Sequence, residues 1–563
     1  MTDAVTDAAT LTRWHSFHLF LHSGTEDTDA FLTEDVAPLL DGAAEWFFIR
    51  YGEEGPHVRV RVRGIDGGAA SGLATELARA AAARPAVPGP WPSRHGELRA
   101  VAYVPETDRY GGPGALPVAE EVFAVSSRVA VAALRELRAG PGAAGRLTVA
   151  ADLAHATAYA LGMDRLAAAG WLRRQAAGWR WVTEVPLLPG AAVHTRVNAV
   201  YAAQQKALVA RAEALREGLE RGSGAPWLLE WVAAVREADG RLRARYAEAG
   251  EADRVLPWVW ASQLHMLLNR LGVGPDEERA VCRLASRTLL DAGEPPSFFP
   301  VGHRAPDVQY LERSKFQIGR NEDTALRPLP GADAEPAGGR GPADVPLPAG
   351  PLPAVSLGEA LAARASVRGA LGGPLDAAGL GTVLWSALAE SSRSRQRLAD
   401  GSGRALVHRP YPSAGALYTV RVRLLALDVA GLPAGTYDCV PERRVLRPVG
   451  PVPPVADVVP LSTYFSRPPE DPDWIGVEGA PVVLGVYVEL GLLRRRYGLR
   501  ALRLALLETG HLTQTLLLTA AAVGLGGTPL GGFHDDLAHE VFGLDDLDRP
   551  LQYLLPLGRR TEG

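Results

Sequence analysis

The sequence predicts an α+β protein of two folding units, and three observations carry that expectation. At 563 residues the chain is too long for one hydrophobic core and should divide into two or three units. Between Arg327 and Pro353 it becomes a tract of proline, glycine and alanine, with prolines at 328, 330, 336, 342, 346, 348, 351 and 353. Proline fixes φ and removes donors, so this tract reads as an extended linker. On both sides of it, strand-like alternation and helical apolar spacing occur together. The expected division is a first domain over residues 1–320, a linker over 321–352 and a second domain over 353–563.

Taken in order, Trp14 to Leu21, Glu45 to Arg63 and Glu97 to Val104 read as strands. Val118 to Arg138 and Leu147 to Ala169 have Ala/Leu-rich helical periodicity, and further helices are expected at Val197 to Arg221, Pro226 to Ala249 and Leu256 to Leu271. After the linker, Leu357 to Arg364 and Ala377 to Glu390 read as helices and Val420 to Asp428 and Val482 to Glu489 as strands. Ala501 to Val523 reads as a long, buried central helix. The sequence has no internal repeat.

Composition narrows the function. Hydrophobic residues make up 47% and charged residues 22%, and the net charge is -5, which argues against a general nucleic-acid binder. Two cysteines, Cys282 and Cys439, exclude a disulfide framework or a Cys-rich metal site and fit a reducing compartment. The N-terminus has no apolar run long enough for a signal peptide or membrane span, so the expected location is the cytoplasm. There is no P-loop or dinucleotide fingerprint, and the thirteen histidines do not fall at ligand spacing, so no metal is expected.

From Pro56 to Gly64 the chain reads Pro-His-Val-Arg-Val-Arg-Val-Arg-Gly. At a two-residue period Val58, Val60 and Val62 take one face and His57, Arg59, Arg61 and Arg63 the other. Like charges about 7 Å apart are costly unless anions, solvent or acidic partners face them, so the row is an anion-site candidate or a solvated basic face. Downstream, Glu106 and Arg109 stand in a charged turn ending in Gly111-Gly112, where they can orient each other. Further on, His265 and Asn269 are four apart and share a helix face.

Phe48-Ile-Arg-Tyr51, Pro56 to Arg61, Glu106 to Gly112, and His265-Met266 with Asn269-Arg270, in this order, resemble the glutamate-elimination domain of lanthipeptide and thiopeptide dehydratases over roughly residues 10 to 320. The resemblance implies expulsion of glutamate from a glutamylated Ser or Thr of a ribosomal precursor peptide, leaving dehydroalanine or dehydrobutyrine. Glutamylation from glutamyl-tRNA would fall to a separate enzyme. By motif it assigns catalytic roles to Arg59, Arg61, Glu106, Arg109 and His265. The residue types suit that chemistry: guanidiniums bind carboxylates bidentately and a histidine moves protons near neutrality.

In the second unit, Arg364-Ala-Ser366-Val-Arg368 is a possible phosphate clamp. Arg409-Pro-Tyr-Pro-Ser413-Ala-Gly415-Ala-Leu-Tyr418, Arg496-Tyr497-Gly498, His511-Leu-Thr-Gln514, Pro529-Leu-Gly531-Gly532 and Gly558-Arg559-Arg560 follow. The set resembles the nitroreductase-like, SagB-type azoline dehydrogenases over roughly residues 353 to 563. That resemblance implies an α+β fold with FMN at a homodimer interface, bound by Arg364, Ser366, Arg368, Ser413, Gln514, Gly531, Gly532 and Arg559. Relatives often carry Lys-Tyr where this chain has Arg496-Tyr497; arginine does not deprotonate, which leaves Tyr497 as the catalytic group for the ring proton.

The two halves together resemble the eliminase–dehydrogenase fusions of lactazole-type thiopeptide pathways. The partners this implies are the precursor peptide and the pathway's cyclodehydratase, with no direct nucleic acid and no membrane. Two alternatives stand beside it. The first unit could be a pyridine-forming synthase of the same fold, or a silent peptide-binding module that feeds the flavin domain.

Overall fold

The computed structural model describes residues 13–140, 144–179, 185–247, 250–291, 293, 300–317, 343–397 and 403–560. They fall into two compact units. One holds the described residues up to Asp291 except Leu188–His194; the other holds Leu188–His194 and the described residues from 293 onward. The expected boundary at residue 320 and most of the linker lie outside the described residues. Helix Pro306–Arg313 is counted with the second unit, where Tyr310 Oη donates to Leu499 O at 3.1 Å and accepts from Arg503 N at 2.9 Å.

The first unit has a four-stranded antiparallel sheet of β1 (His15–Phe20), β2 (Glu45–Tyr51), β3 (His57–Arg63) and β4 (Leu98–Ala100), in the order β2-β3-β1-β4. Val58, Val60 and Val62 are fully buried and join Phe17, Leu19, Trp46 and Phe48 in one core. The basic face is not simply solvated: His57 and Arg61 are themselves buried. The strand expected over Glu97–Val104 pairs only at Leu98–Ala100.

Helices α1 (Gly67–Ala82), α2 (Leu116–Leu137), α3 (Arg146–Ala160), α4 (Arg165–Gly178), α5 (Gly190–Glu220), α6 (Pro226–Tyr246), α7 (Ala252–Leu271) and α8 (Pro275–Leu290) follow in sequence. The stretch expected as one helix over Leu147–Ala169 is two, α3 and α4. Gly162 turns the chain at φ +69, and Asp164 caps α4 by accepting from Ala167 N at 2.8 Å. Helices α1 and α8 were not expected, although each begins on a readable signal. Asp66 caps α1, and Glu277 reaches back to Gly274 N at the start of α8.

The second unit is built on a nine-stranded sheet. Its strands are β5 (Val345–Pro346), β6 (Gly369–Gly372), β9 (Val420–Ala426), β10 (Gly435–Val440), β11 (Val445–Gly450), β12 (Ile475–Gly476), β13 (Val482–Val488), β14 (Gly526–Gly527) and β15 (Leu551–Arg560); β7 (Ser392–Arg397) and β8 (Gly403–His408) form a separate hairpin. Strand β13 is buried along its whole length, as its unbroken apolar run requires. Val482, Leu484 and Val486 enter one apolar core, while Val483 and Tyr487 enter another on the opposite face.

Helices α9 (Leu357–Ala363), α10 (Ala377–Leu388), α11 (Leu490–Tyr497), α12 (Ala501–Ala522) and α13 (Asp535–Phe542) complete the unit. Helix α12 is not buried throughout. Ala505, Leu512 and Leu516 face the core, whereas Leu506 and Leu507 are 51% and 60% exposed and share an open stripe with His511 and Gln514. A 3.6-residue repeat cannot distinguish an apolar face turned to the core from one awaiting a partner.

Candidate active sites

In the first unit the expected residues gather on and beside the basic face of the sheet. Strand β3 presents Arg59, whose guanidinium lies 3.5 Å from the Tyr51 ring centre and donates through Nε to His57 Nε2 at 3.0 Å. His57 Nδ1 contacts Gly55 O at 2.9 Å, which assigns its proton to Nδ1 and leaves Nε2 to accept. Glu53, 3.3 Å away, is Arg59's carboxylate partner, and it is 70% exposed.

Arg61 is held between the rings of Phe47 and Tyr103, at 5.3 and 4.7 Å. Burial lowers its pKa, and its Nε has no hydrogen-bond partner among the described residues. Arg63 is the compensated member of the row, paired with Glu45 and, at 3.6 Å, with Glu120.

Glu106 and Arg109 pair at 2.8 Å across a short helical turn, Thr107–Tyr110, which Gly111 ends at φ +88. Glu106 lies within electrostatic reach of Arg61, and Glu278 within that of Arg109, which links the strand, the turn and α7–α8 into one neighbourhood.

His265 is a dyad member rather than a lone histidine. Its Nδ1 meets Glu278 Oε2 at 2.7 Å, and its ring stands edge-on to Trp179 at 4.8 Å. Glu278 is fully buried and also accepts from Gln175 Nε2 at 2.6 Å and Trp179 Nε1 at 3.0 Å. Burial opposes its charge, but His265 and these donors prevail and hold the carboxyl below its ordinary pKa. Sequence reading missed Glu278; its signal is the acidic Pro-Asp-Glu-Glu run opening the helix after His265.

Two neighbours of His265 are structural. Asn269 accepts from Arg50 N at 2.9 Å and donates to Arg50 O at 3.0 Å, clamping α7 to β2. Arg270 is buried, donates through Nε to Ser127 at 3.1 Å, and has its pKa pushed down to about 9 by burial.

In the second unit, Ser366, Arg368 and Arg559 meet around the end of α12, and Arg364, two residues before Ser366, ends α9. Ser366 bridges to Gly527, Arg559 pairs with Gly372, and a Cβ added at Gly524 would stand 3.2 Å from Arg559 Nη1. Arg368 contacts Thr528 Oγ1 at 3.4 Å and Asp473 at 3.5 Å. Arg364 and Arg559 have no carboxylate partner among the described residues. Gly531, Gly532 and Gln514 are exposed, so main chain without a Cβ and an amide side chain face open space. Guanidiniums short of anions, a free hydroxyl and bare glycine backbone fit a phosphate-bearing flavin.

Ser413 is committed differently. Its hydroxyl donates to Glu508 at 2.7 Å and accepts from Tyr418 N at 2.8 Å. Glu508, buried on α12, also accepts from Val420 N at 3.0 Å, and burial raises its pKa. Tyr497 lies beside the same segment: a Cβ at Gly415, where φ is +62, would stand 2.6 Å from its hydroxyl.

Comparison with known proteins places families on both units. The lantibiotic biosynthesis dehydratase C-terminal family matches residues 14–289, and the nitroreductase family matches residues 361–559. The nitroreductase-like MJ1384 protein of Methanocaldococcus jannaschii is 29% identical over 37% of this chain and 93% of its own length. The microcin B17-processing protein McbC of Escherichia coli is 34% identical over 25% of this chain and half of its own length. Among solved structures, a pyridine synthase of thiomuracin biosynthesis is 24% identical over 50% of this chain and 98% of its own, with a TM-score of 0.42.

Proposed function

Because the chain fuses a lantibiotic-dehydratase C-terminal domain to a nitroreductase-family domain, we propose that it performs two tailoring steps on a ribosomally made precursor peptide. The first domain eliminates glutamate from glutamylated Ser or Thr, leaving dehydroalanine or dehydrobutyrine. The second oxidises thiazolines and oxazolines to azoles with FMN. A separate glutamylation enzyme and a cyclodehydratase supply the two substrates.

In the elimination, the Cα–H bond breaks, a Cα–Cβ double bond forms, and the Cβ–O bond breaks to release a carboxylate. Arg59 and Arg109 bind the glutamyl carboxylates, Arg61 completes the anion site, and Glu106 orients Arg109. His265 takes the α-proton on Nε2, because Glu278 holds the Nδ1 proton. The observation that carries this reading is the His265–Glu278 contact of 2.7 Å in one neighbourhood with Arg61, whose Nε lacks a hydrogen-bond partner among the described residues, and with Arg59 and Arg109.

In the second domain Arg364, Ser366, Arg368 and Arg559 would hold the FMN phosphate, with Gln514, Gly531 and Gly532 as further contacts. Ser413 acts through the backbone it ties to Glu508. FMN, when bound, supplies a hydride acceptor. Tyr497 moves the ring proton at its hydroxyl. Leu357, Leu361, Leu506 and Leu507, between 51% and 69% exposed on the contacting helices α9 and α12, support a homodimer through this domain.

The test is mass spectrometry of purified peptides. Release of glutamate from a glutamylated peptide and loss of about 2 Da, a hydride and a proton, from an azoline peptide support the reading. Expulsion of a leader peptide with a new pyridine would instead make the first domain a synthase. Azoline oxidation alone, with the glutamyl ester intact, would make it a binding module.

A further inference from the structure

Strand β1 carries two polar residues that the proposed elimination leaves unused. In the antiparallel register Ser16 lies opposite Arg61 and His18 opposite Arg59, so the four side chains leave one face of the sheet. Ser16 is 6% exposed and Arg61 8%. Ser16 Oγ and Arg61 Nε both lack a hydrogen-bond partner among the described residues. Two neighbouring orphaned donors in one buried patch are costly unless a ligand satisfies them.

His18 is half-buried, and its ring stacks on His57 with centres 5.4 Å apart and planes at 25°. No hydrogen bond to its ring nitrogens occurs among the described residues. Burial, and after it the charges of Arg59, His57, Arg61 and Arg99, lower its pKa to about 4. Near neutral pH it is therefore an uncharged imidazole, which can donate a hydrogen bond without adding to the repulsion among the guanidiniums.

Residues two apart on a strand are separated by about 7 Å. The Ser16–Arg61 and His18–Arg59 rows thus form two successive donor pairs on one face, facing the two ends of a short dicarboxylate. We propose that β1 supplies half of a dicarboxylate-binding site, Ser16 with Arg61 taking one carboxylate and His18 with Arg59 the other, while Arg109 closes on the acid from the neighbouring turn. The identity of that acid as departing glutamate rests on the elimination reading; the site itself does not.

Calorimetric titration of the full chain with succinate, glutarate and adipate tests the proposal. Glutarate should bind at least tenfold more tightly than the other two. Ser16→Ala and His18→Phe should each weaken glutarate binding tenfold or more at unchanged thermal stability, and His18→Gln, which keeps an N–H donor, should recover part of the loss. Binding blind to chain length, or variants that bind as the unaltered protein does, would overturn it. Selective glutarate binding without glutamate release from a glutamylated peptide would keep the site and end the elimination reading. Glutamate release left undiminished in variants that have lost glutarate binding would keep the site and end its identification with the departing glutamate.

Discussion

Glu278 receives the Nδ1 proton of His265 across 2.7 Å while itself fully buried. A carboxylate in that position selects the imidazole tautomer and stabilises the ring once it has taken a proton. Replacing Glu278 by Gln should therefore lower single-turnover glutamate release by about 10²–10⁴-fold, with peptide binding retained. An undiminished rate in Glu278→Gln or in His265→Ala would remove the dyad from the reaction.

The same carboxylate predicts an acid limb in stability. Its folded pKa is depressed, so its contribution is present above the unfolded value of about 4.3 and is lost as pH falls through the folded pKa. Thermal melts of the wild-type protein should fall below that point. In Glu278→Gln the same loss should be smaller, starting from a protein less stable at neutral pH by about 1–3 kcal/mol.

Glu106 and Arg109 act as a pair at 2.8 Å. Arg109→Lys keeps the charge but loses the planar fork, so kcat/KM for elimination should drop roughly tenfold or more. Adding Glu106→Ala to Arg109→Ala should cost little further. Additive losses in that double-mutant cycle would show that the two residues work independently.

Removing either guanidinium that lacks a carboxylate, Arg364→Ala or Arg559→Ala, should weaken FMN retention roughly tenfold or more. The loss would be read as flavin absorbance after gel filtration, with the dehydratase-like domain's glutamate release unaffected. Full flavin content in both variants would place the phosphate elsewhere.

Tyr497→Phe should keep FMN and lose azoline oxidation. Gly415→Ala should do likewise, because its new Cβ would stand 2.6 Å from the Tyr497 hydroxyl at a left-handed φ of +62. Full turnover by Tyr497→Phe would move the proton step to another group.

Much of this protein was legible in its sequence. Alternation over His57–Arg63 placed three valines in a core and the arginines on the other face, because a strand's side-chain period is two whatever surrounds it. Helical apolar spacing marked elements such as Val118–Arg138 and Ala501–Val523 in the same local way. Pairing was not legible. Ser16 stands beside Arg61 only because β1 and β3 align in one register, and a one-residue slip would turn every side chain to the other face. Glu278 reaches His265 because the chain turns after α7 and α8 packs against α4, Ser413 reaches Glu508 from 95 residues away, and Tyr497 reaches Gly415 from 82. The chain's local pattern thus decided which face each side chain takes. Tertiary packing alone decided which cations kept a carboxylate partner and which did not, since charge compensation is a property of neighbours in space.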